Sequence, residues 1–287
     1  MDNPQQLTIG GLDLLLDGGE TLQHALTLPG MDVFRSTHVP AAPVFIHLDD
    51  LIALPSCRWL HHYALADWQE EARFGIDSEG IYYHTLGGDA VLRYDSRHPD
   101  EVYCSSIAHP DILRFALWTA YCMAGLRRGI VPVHASTIVC QKRAVLCLGE
   151  SGTGKSTHTS LWRKHIEGAY LLNDDSPILS IADGTICVYG SPWSGKTPCY
   201  KQERHPVAAL QRIEQAPHNT IHRLSALEAF AALQPSCPPS LAHDERCMDL
   251  LVNFISEVIK QTPVYRLQCL PDEAAALLSH STIFAQP

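Results

Sequence analysis

Gly149-Glu-Ser-Gly-Thr-Gly154-Lys155-Ser156 matches the pattern G-x-x-x-x-G-K-[ST]. Glycines let the backbone wrap so that successive N–H groups point at one phosphate chain, and the start of a helix adds a favourable dipole. The lysine of such a loop reaches the β- and γ-phosphates, and the next hydroxyl binds Mg²⁺. The segment therefore predicts a site for ATP and Mg²⁺. Its predicted nucleotide-binding residues are Gly149, Glu150, Ser151, Gly152, Thr153, Gly154, Lys155, Ser156 and Thr157.

The sequence around this loop has the pattern that such a site needs. The apolar segment AVLCLG at 144–149 predicts a strand before the loop, and STHTSLWRKH at 156–165 predicts a helix after it. From Val131 onward, predicted strands alternate with helices, which is typical of an α/β fold. Amphipathic patterns predict a helix at 224–234 that is capped by Ser225, and another at 245–261.

The first hundred residues have a different pattern, with short β-branched and aromatic runs bounded by Gly, Asp or Pro. Residues 111–129 then predict a strong helix that ends in Arg-Arg-Gly. We therefore predict a β-rich N-terminal region over 1–108 and a phosphate-loop catalytic domain over 109–287.

Two adjacent carboxylates, Asp174 and Asp175, end the predicted buried strand AYLLND. Side chains of adjacent strand residues alternate, but at the carboxyl end of a strand both can face a phosphate crevice. Phosphoryl transfer needs an acid group for the metal and usually a group that positions the nucleophile. One aspartate can hold Mg²⁺ while the other accepts the proton of the nucleophile.

A second match to the loop pattern occurs at 190–197, GSPWSGKT. Pro192 and Pro198 make it unsuitable for a strand–loop–helix unit, so it predicts a loop and not a second nucleotide site. That loop could still offer cationic and backbone N–H groups to a phosphate or an acidic substrate. The candidate substrate-loop residues are Ser191, Trp193, Gly195, Lys196 and Lys201.

The histidines give weaker signals. His134 lies between apolar residues on a predicted strand, where a histidine is more often a hydrogen-bonded core residue. His218 and His222 are four residues apart but lack the glutamate of a zinc-protease helix, so we predict no zinc site.

The composition excludes some functions. A net charge of −10 lacks the basic surface that nucleic-acid binding usually requires. No run approaches the roughly 20 apolar residues that span a bilayer, and the first residues do not resemble a signal peptide. Ten cysteines without a C-x-x-C pair are typical of buried thiols in a reducing compartment. We predict a cytoplasmic protein without a nucleic-acid or membrane partner.

In sequence order, His134, the 149–156 loop and the Asp174–Asp175 pair resemble the catalytic domain of HPr kinase/phosphorylase. That family shares its phosphate-loop architecture with phosphoenolpyruvate carboxykinase. His134 precedes Lys155 by 21 residues and Asp174 follows it by 19, spacings similar to those of the family. The resemblance is good over 131–175 and looser to about residue 280. It does not include the family's later E-x-R-G-x-G signature, because residues 189–201 lack its glutamate and arginine.

The resemblance implies an ATP- and Mg²⁺-dependent kinase. Lys155 would bind phosphates, Ser156 and Asp174 the metal, and Asp175 would be the general base. The roles of the two aspartates could be exchanged, and His134 would hydrogen-bond the base. The acceptor would be a hydroxyl, such as serine, on a protein, peptide or small molecule, and the family suggests a homo-oligomer.

Two other functions stay open at this stage. The GESGTGK loop and the GSPWSGK segment also resemble a small carboxykinase-like subgroup, in which Lys196 and Lys201 would bind a carboxylic acid. The chain could also be a nucleotide-binding regulatory protein with little turnover, although such a protein needs the loop more than it needs a base.

Overall fold

A computed structural model describes residues 4–65, 70–88, 90–182 and 184–284. The fold is mixed α/β with two large sheets. Contacts divide the chain into two units, Met1–Arg128 with Ser240–Met248, and Gly129–Pro239 with Asp249–Pro287. Within the described ranges, no helix is both long and apolar enough to cross a membrane.

The first unit is built on one eight-stranded sheet. Its strand order is β1-β2-β3-β8-β7-β6-β5-β4, antiparallel except for the parallel pairs β2–β3 and β3–β8. This confirms the β-rich character predicted for the N-terminal region. The strands are β1 Gln5–Ile9, β2 Leu12–Asp17, β3 Val44–His47, β4 Arg58–Leu65, β5 Glu70–Ile76, β6 Ile81–Leu86, β7 Val91–Asp95 and β8 Glu101–Cys104, with helices α1 Glu20–Thr27 and α2 Pro110–Leu126.

Helix α2 occurs where the sequence predicted it, but the contacts group it with the first unit. Proline at its first position cannot donate a helical hydrogen bond and so suits a helix start. Most of its residues from Leu113 onward are buried, and the Tyr121 hydroxyl donates to the Ile9 carbonyl at 2.9 Å. The predicted division after residue 108 placed α2 in the catalytic domain, whereas its apolar surface is covered by N-terminal strands.

His84 on β6 is a neutral histidine in the core of the first unit. It is 4% exposed, and its Nε2 lies 2.7 Å from the Tyr63 hydroxyl. Burial lowers its pKa from the usual 6.5 to about 3. The folded unit therefore excludes a proton that the unfolded chain would bind below pH 6.5.

We predict that His84 makes the first unit less stable in mild acid. As the pH falls from 6.5 toward 3, the unfolded state gains a proton that the folded state does not, so the free energy of unfolding falls by up to about 1.4 kcal/mol per pH unit. Urea unfolding at pH 7 and pH 5 should show a smaller pH effect in His84→Phe than in the wild type. The exposed His24→Phe is the matched control, and equal pH effects in all three proteins would contradict the prediction.

The second unit holds the loop at 149–154. Its strands are β9 Ile130–Pro132, β10 Ala135–Cys140, β11 Arg143–Leu148, β12 Tyr170–Asp175, β13 Ile178–Ala182, β14 Thr185–Tyr189, β15 Arg204–Gln215, β16 Thr220–Arg223 and β17 Val264–Cys269. Its helices are α3 Lys155–His165, α4 Ala226–Leu233 and α6 Glu273–Phe284, and α5 Glu245–Gln261 extends into it from the segment assigned to the first unit.

The sheet of the second unit has the order β12-β10-β11-β15-β14-β13-β9, and β17 pairs with β15 and β16. β10 is antiparallel to both β11 and β12, whereas β15 is parallel to β11. The carboxyl ends of β11 and β12 therefore lie beside the amino end of β10, at one end of the sheet. Trp162 of α3 is fully buried in a core cluster with β10, β11 and α6, which fixes the helix over the sheet.

Most predicted elements of this unit are confirmed, including the strand and helix that flank the loop. Ser225 caps α4 in a reciprocal capping box with Glu228. The strand predicted around His134 is interrupted, because the Val133 and His134 N–H groups donate to the Pro177 and Ser236 carbonyls instead of a neighbouring strand.

Candidate active site

The loop between β11 and α3 is shaped by its glycines. Gly149 has φ 144°, and a Cβ there would lie 2.6 Å from the Thr153 hydroxyl oxygen. Gly154, which precedes the first residue of α3, has φ 103°. Such backbone angles are rare for residues with a side chain. Thr153 steadies the turn, since its N–H and hydroxyl both donate to the Glu150 carbonyl.

Lys155 connects the loop to His134 and Asp175. Its Nζ donates to the Gly149 and Glu150 carbonyls at 2.8 and 2.9 Å and lies 3.0 Å from His134 Nε2. The other ring nitrogen, Nδ1, lies 3.1 Å from Asp175 Oδ1. An ammonium group can only donate, so Nε2 is the acceptor and the ring proton lies on Nδ1, facing the carboxylate. The three side chains form one hydrogen-bonded row.

His134 is not the core histidine that its apolar neighbours suggested. Its side chain is 44% exposed, and so is that of Asp175. Asp175 also has φ 152°, an unusual angle for a residue other than glycine. Strained backbone of this kind is often found at functional sites, where the surrounding structure maintains it.

Asp174 has a different partner from its neighbour. It is 4% exposed, and its Oδ1 accepts a hydrogen bond from the Ser156 hydroxyl at 2.8 Å. The structure thus brings both aspartates to the loop, Asp174 at Ser156 and Asp175 at His134. Hydroxyl and carboxylate oxygens are ligands that suit Mg²⁺. Within the described ranges, no group of three or more His, Cys, Asp or Glu residues gathers as a metal site.

Burial lowers the pKa of Lys155, while the charges of Asp175 and Asp174 act in the opposite direction. Arg212 on β15 adds to the lowering, and it lies 3.6 Å from the Glu150 carboxylate at the loop. Two cationic groups, Lys155 and Arg212, therefore lie at the loop. Arg212 was not among the sequence candidates, because its place depends on the parallel pairing of β11 with β15.

The segment 190–197 is a loop, as predicted, and it is fastened to the end of β12. Ser191 is fully buried, and its hydroxyl donates to the Ser176 carbonyl at 2.6 Å. The buried Asn173 amide donates to the Ser191 and Trp193 carbonyls, each at 3.3 Å. Trp193 is 5% exposed. The buried contacts of Ser191 and Trp193 therefore fix the position of this loop.

Gly195 lies against the aspartate pair. Its N–H donates to the Asp174 carbonyl, and a Cβ at this position would lie 2.9 Å from that oxygen and 3.1 Å from the Asp175 Cβ. Lys196, the next residue, is exposed. The tip of the loop is therefore beside the carboxylates.

Lys201 does not lie beside the aspartates, although it was suggested as a residue of the substrate loop. Its Nζ lies 4.2 Å from the centroid of the Tyr170 ring, at the start of β12. Tyr170 and Asp175 are five residues apart along the strand, about 16 Å at the usual rise per residue. The structure does not bring Lys201 together with the aspartates.

Several other residues predicted to bind the nucleotide are open to solvent. Ser151, Gly152, Ser156 and Thr157 are exposed. Gln215, which sequence reasoning also missed, donates from its amide to the Gly152 carbonyl at 3.2 Å.

All ten cysteines are free, and eight of them are buried, which confirms the prediction of buried thiols.

No protein-family model matches the chain, and no curated protein matches it significantly. Among solved structures, the HPr(Ser) kinase/phosphatase from Coxiella burnetii is similar over 52% of this chain and 91% of that chain. The identity is 14% and the TM-score 0.30. At this level the likeness supports neither a fold nor an activity, so the geometry of the site is what bears on function.

Proposed function

We propose that this chain is an ATP- and Mg²⁺-dependent kinase that transfers the γ-phosphoryl group to a hydroxyl of a protein, peptide or small molecule. The observation that supports it best is the row Lys155–His134–Asp175 beside the loop at 149–154. The row joins a phosphate-binding cation to a carboxylate that can accept a proton.

The loop would bind the β- and γ-phosphates. Its backbone N–H groups and the start of α3 favour an anion. Lys155 is within reach of that position, and its three present acceptors are neutral atoms that a phosphate oxygen can replace. Charged acceptors make stronger hydrogen bonds than neutral ones, so the exchange is favourable.

Ser156 and Asp174 would hold Mg²⁺, because their oxygens already lie 2.8 Å apart at the loop. This ion is usually bound by one or two carboxylates together with substrate phosphates and water. When bound, it would neutralise the charge that develops on the phosphates during transfer.

Asp175 would be the general base. With His134 Nδ1 facing Oδ1, the second carboxylate oxygen remains to accept the proton of the acceptor hydroxyl. His134 is a positioning residue in this proposal, since it holds the carboxylate and would leave Nε2 as an acceptor when Lys155 turns to the phosphates. The exposed loop tip at Gly195 and Lys196 lies on the side from which an acceptor could approach.

The carboxykinase alternative needs several cations beside the γ-phosphate for its carboxylic acid. Lys155 and Arg212 lie at the loop, but Lys201, one of the two lysines suggested for the acid, lies with Tyr170 instead. A purely regulatory nucleotide site would not need the His134–Asp175 pair. The contacts of the site therefore favour a kinase over both.

The test is to incubate the protein with γ-labelled ATP, Mg²⁺ and fractions of its host lysate. A kinase should label one acceptor in a wild-type reaction and none with Lys155→Ala. The matched control Lys164→Ala removes an exposed lysine of the same helix and should retain labelling. Label that stays on ATP across all fractions, although ATP binds, would favour the regulatory alternative. Release of CO₂ from oxaloacetate would favour the carboxykinase.

A further inference from the structure

The backbone of Asp175, the proposed base, has a conformation that must be maintained by its surroundings. Its φ of 152° is rare for a residue with a side chain. Because peptide groups are planar, the φ and ψ angles of a residue are set by the orientations of the two peptide groups that flank it. The contacts of those two groups therefore determine where the Asp175 carboxylate points.

Both peptide groups that flank Asp175 are held by hydrogen bonds. In the group before it, the Asp174 carbonyl accepts from the Gly195 N–H on the neighbouring loop. In the group after it, the Ser176 N–H donates to Asn173 Oδ1 at 2.9 Å. The backbone on each side of the base is therefore fixed.

The side chain of Asn173 connects these two contacts. It is fully buried, and while its oxygen accepts from Ser176, its Nδ2 donates to the Ser191 hydroxyl at 3.2 Å. The same Nδ2 donates to the Ser191 and Trp193 carbonyls, each at 3.3 Å, and so helps to fix the loop that carries Gly195. The Ser191 hydroxyl in turn donates to the Ser176 carbonyl at 2.6 Å. One buried amide thus joins the residue after the base to the loop that holds the residue before it.

We infer that Asn173 is a positioning residue for phosphoryl transfer, because its amide keeps the Asp175 carboxylate directed at the acceptor hydroxyl. A buried amide is costly unless its hydrogen bonds are made, and the preceding residues of β12, Leu171 and Leu172, are apolar. The inference rests on the proposed function, since it takes Asp175 to be the base. It adds that the base depends on a buried side chain outside the Lys155–His134–Asp175 row.

Asn173→Ala removes the amide, and Asn253→Ala, at an exposed position on α5, is the matched control. Single-turnover transfer from γ-labelled ATP to the lysate fraction that the wild type labels measures the rate, and calorimetry measures the affinity for ATP. We expect Asn173→Ala to lower the rate about 10²-fold, a loss that a displacement of about 1 Å can cause, and to leave the affinity unchanged. Asn253→Ala should behave as the wild type.

A double-mutant cycle with Asp175→Asn distinguishes positioning from a general loss of structure. If Asn173 acts through the base, Asn173→Ala should cost little further rate in the Asp175→Asn protein, because residues that act as a unit have non-additive effects. A second loss of about 10²-fold in that protein would overturn the inference. Ser191→Ala removes the hydroxyl that contacts both Asn173 and Ser176, and it takes the place of Asn173→Ala if that variant does not fold.

The outcomes also separate this inference from the proposed function. If the wild type labels no acceptor, the kinase proposal is wrong and the inference is wrong with it. If Asp175→Asn lowers the rate while Asn173→Ala and Ser191→Ala both retain it, the base assignment stands and the inference alone is wrong.

Discussion

Asp175→Asn is expected to lower the rate of phosphoryl transfer by about 10²–10⁴-fold, the usual contribution of a positioned general base. The amide has nearly the same shape as the carboxylate, and its oxygen can still accept from His134 Nδ1, which lies 3.1 Å from Oδ1 in the wild type. It cannot take a proton from the acceptor hydroxyl.

The loss should appear in the rate and not in nucleotide affinity. Single-turnover transfer from labelled ATP to the acceptor measures the rate, and calorimetry measures the affinity. Asp249→Asn makes the same chemical change at an exposed position on α5 and should behave as the wild type. Turnover in Asp175→Asn within a few-fold of the wild type would show that Asp175 is not the base, and Asp174→Asn would then be the next variant.

Local sequence pattern was sufficient to predict the strand, loop and helix around Lys155. Each is fixed by neighbours in the chain: an apolar run, glycines at positions of positive φ, and a helix-forming segment. The aspartate pair could also be predicted, because it ends a buried strand. The site residues whose positions depend on near neighbours in sequence could therefore be predicted.

Contacts between segments that are distant in sequence could not be predicted in this way. His134 meets Lys155 and Asp175 because β10 lies between β11 and β12 and begins where both of them end. Arg212 and Gln215 reach the loop because β15 runs parallel to β11, and that strand had not been predicted. Periodicity gives the type of an element but not its neighbours in a sheet. For the same reason the sequence suggested Lys201 as a residue that binds substrate beside the site, whereas it lies over Tyr170.

The second large effect is expected for Lys155→Ala, which should weaken the binding of Mg·ATP at least about 30-fold. That factor corresponds to about 2 kcal/mol, the lower end of the cost of removing one partner from a buried charged pair. Lys155 is 8% exposed, so its interaction with a phosphate would be little screened by water. Its neutral partners, the Gly149 and Glu150 carbonyls and His134, offer no cation in its place.

Calorimetric titration of Mg·ATP into the wild type, Lys155→Ala and the control Lys164→Ala tests whether the loop at 149–154 is a nucleotide-phosphate site. We expect saturable binding to the wild type, equal binding to Lys164→Ala, and an affinity at least about 30-fold lower for Lys155→Ala. Circular dichroism and thermal unfolding would establish that the variants are folded. Absence of binding to the folded wild type, or equal affinity in folded Lys155→Ala, would show that this loop is not a nucleotide-phosphate site.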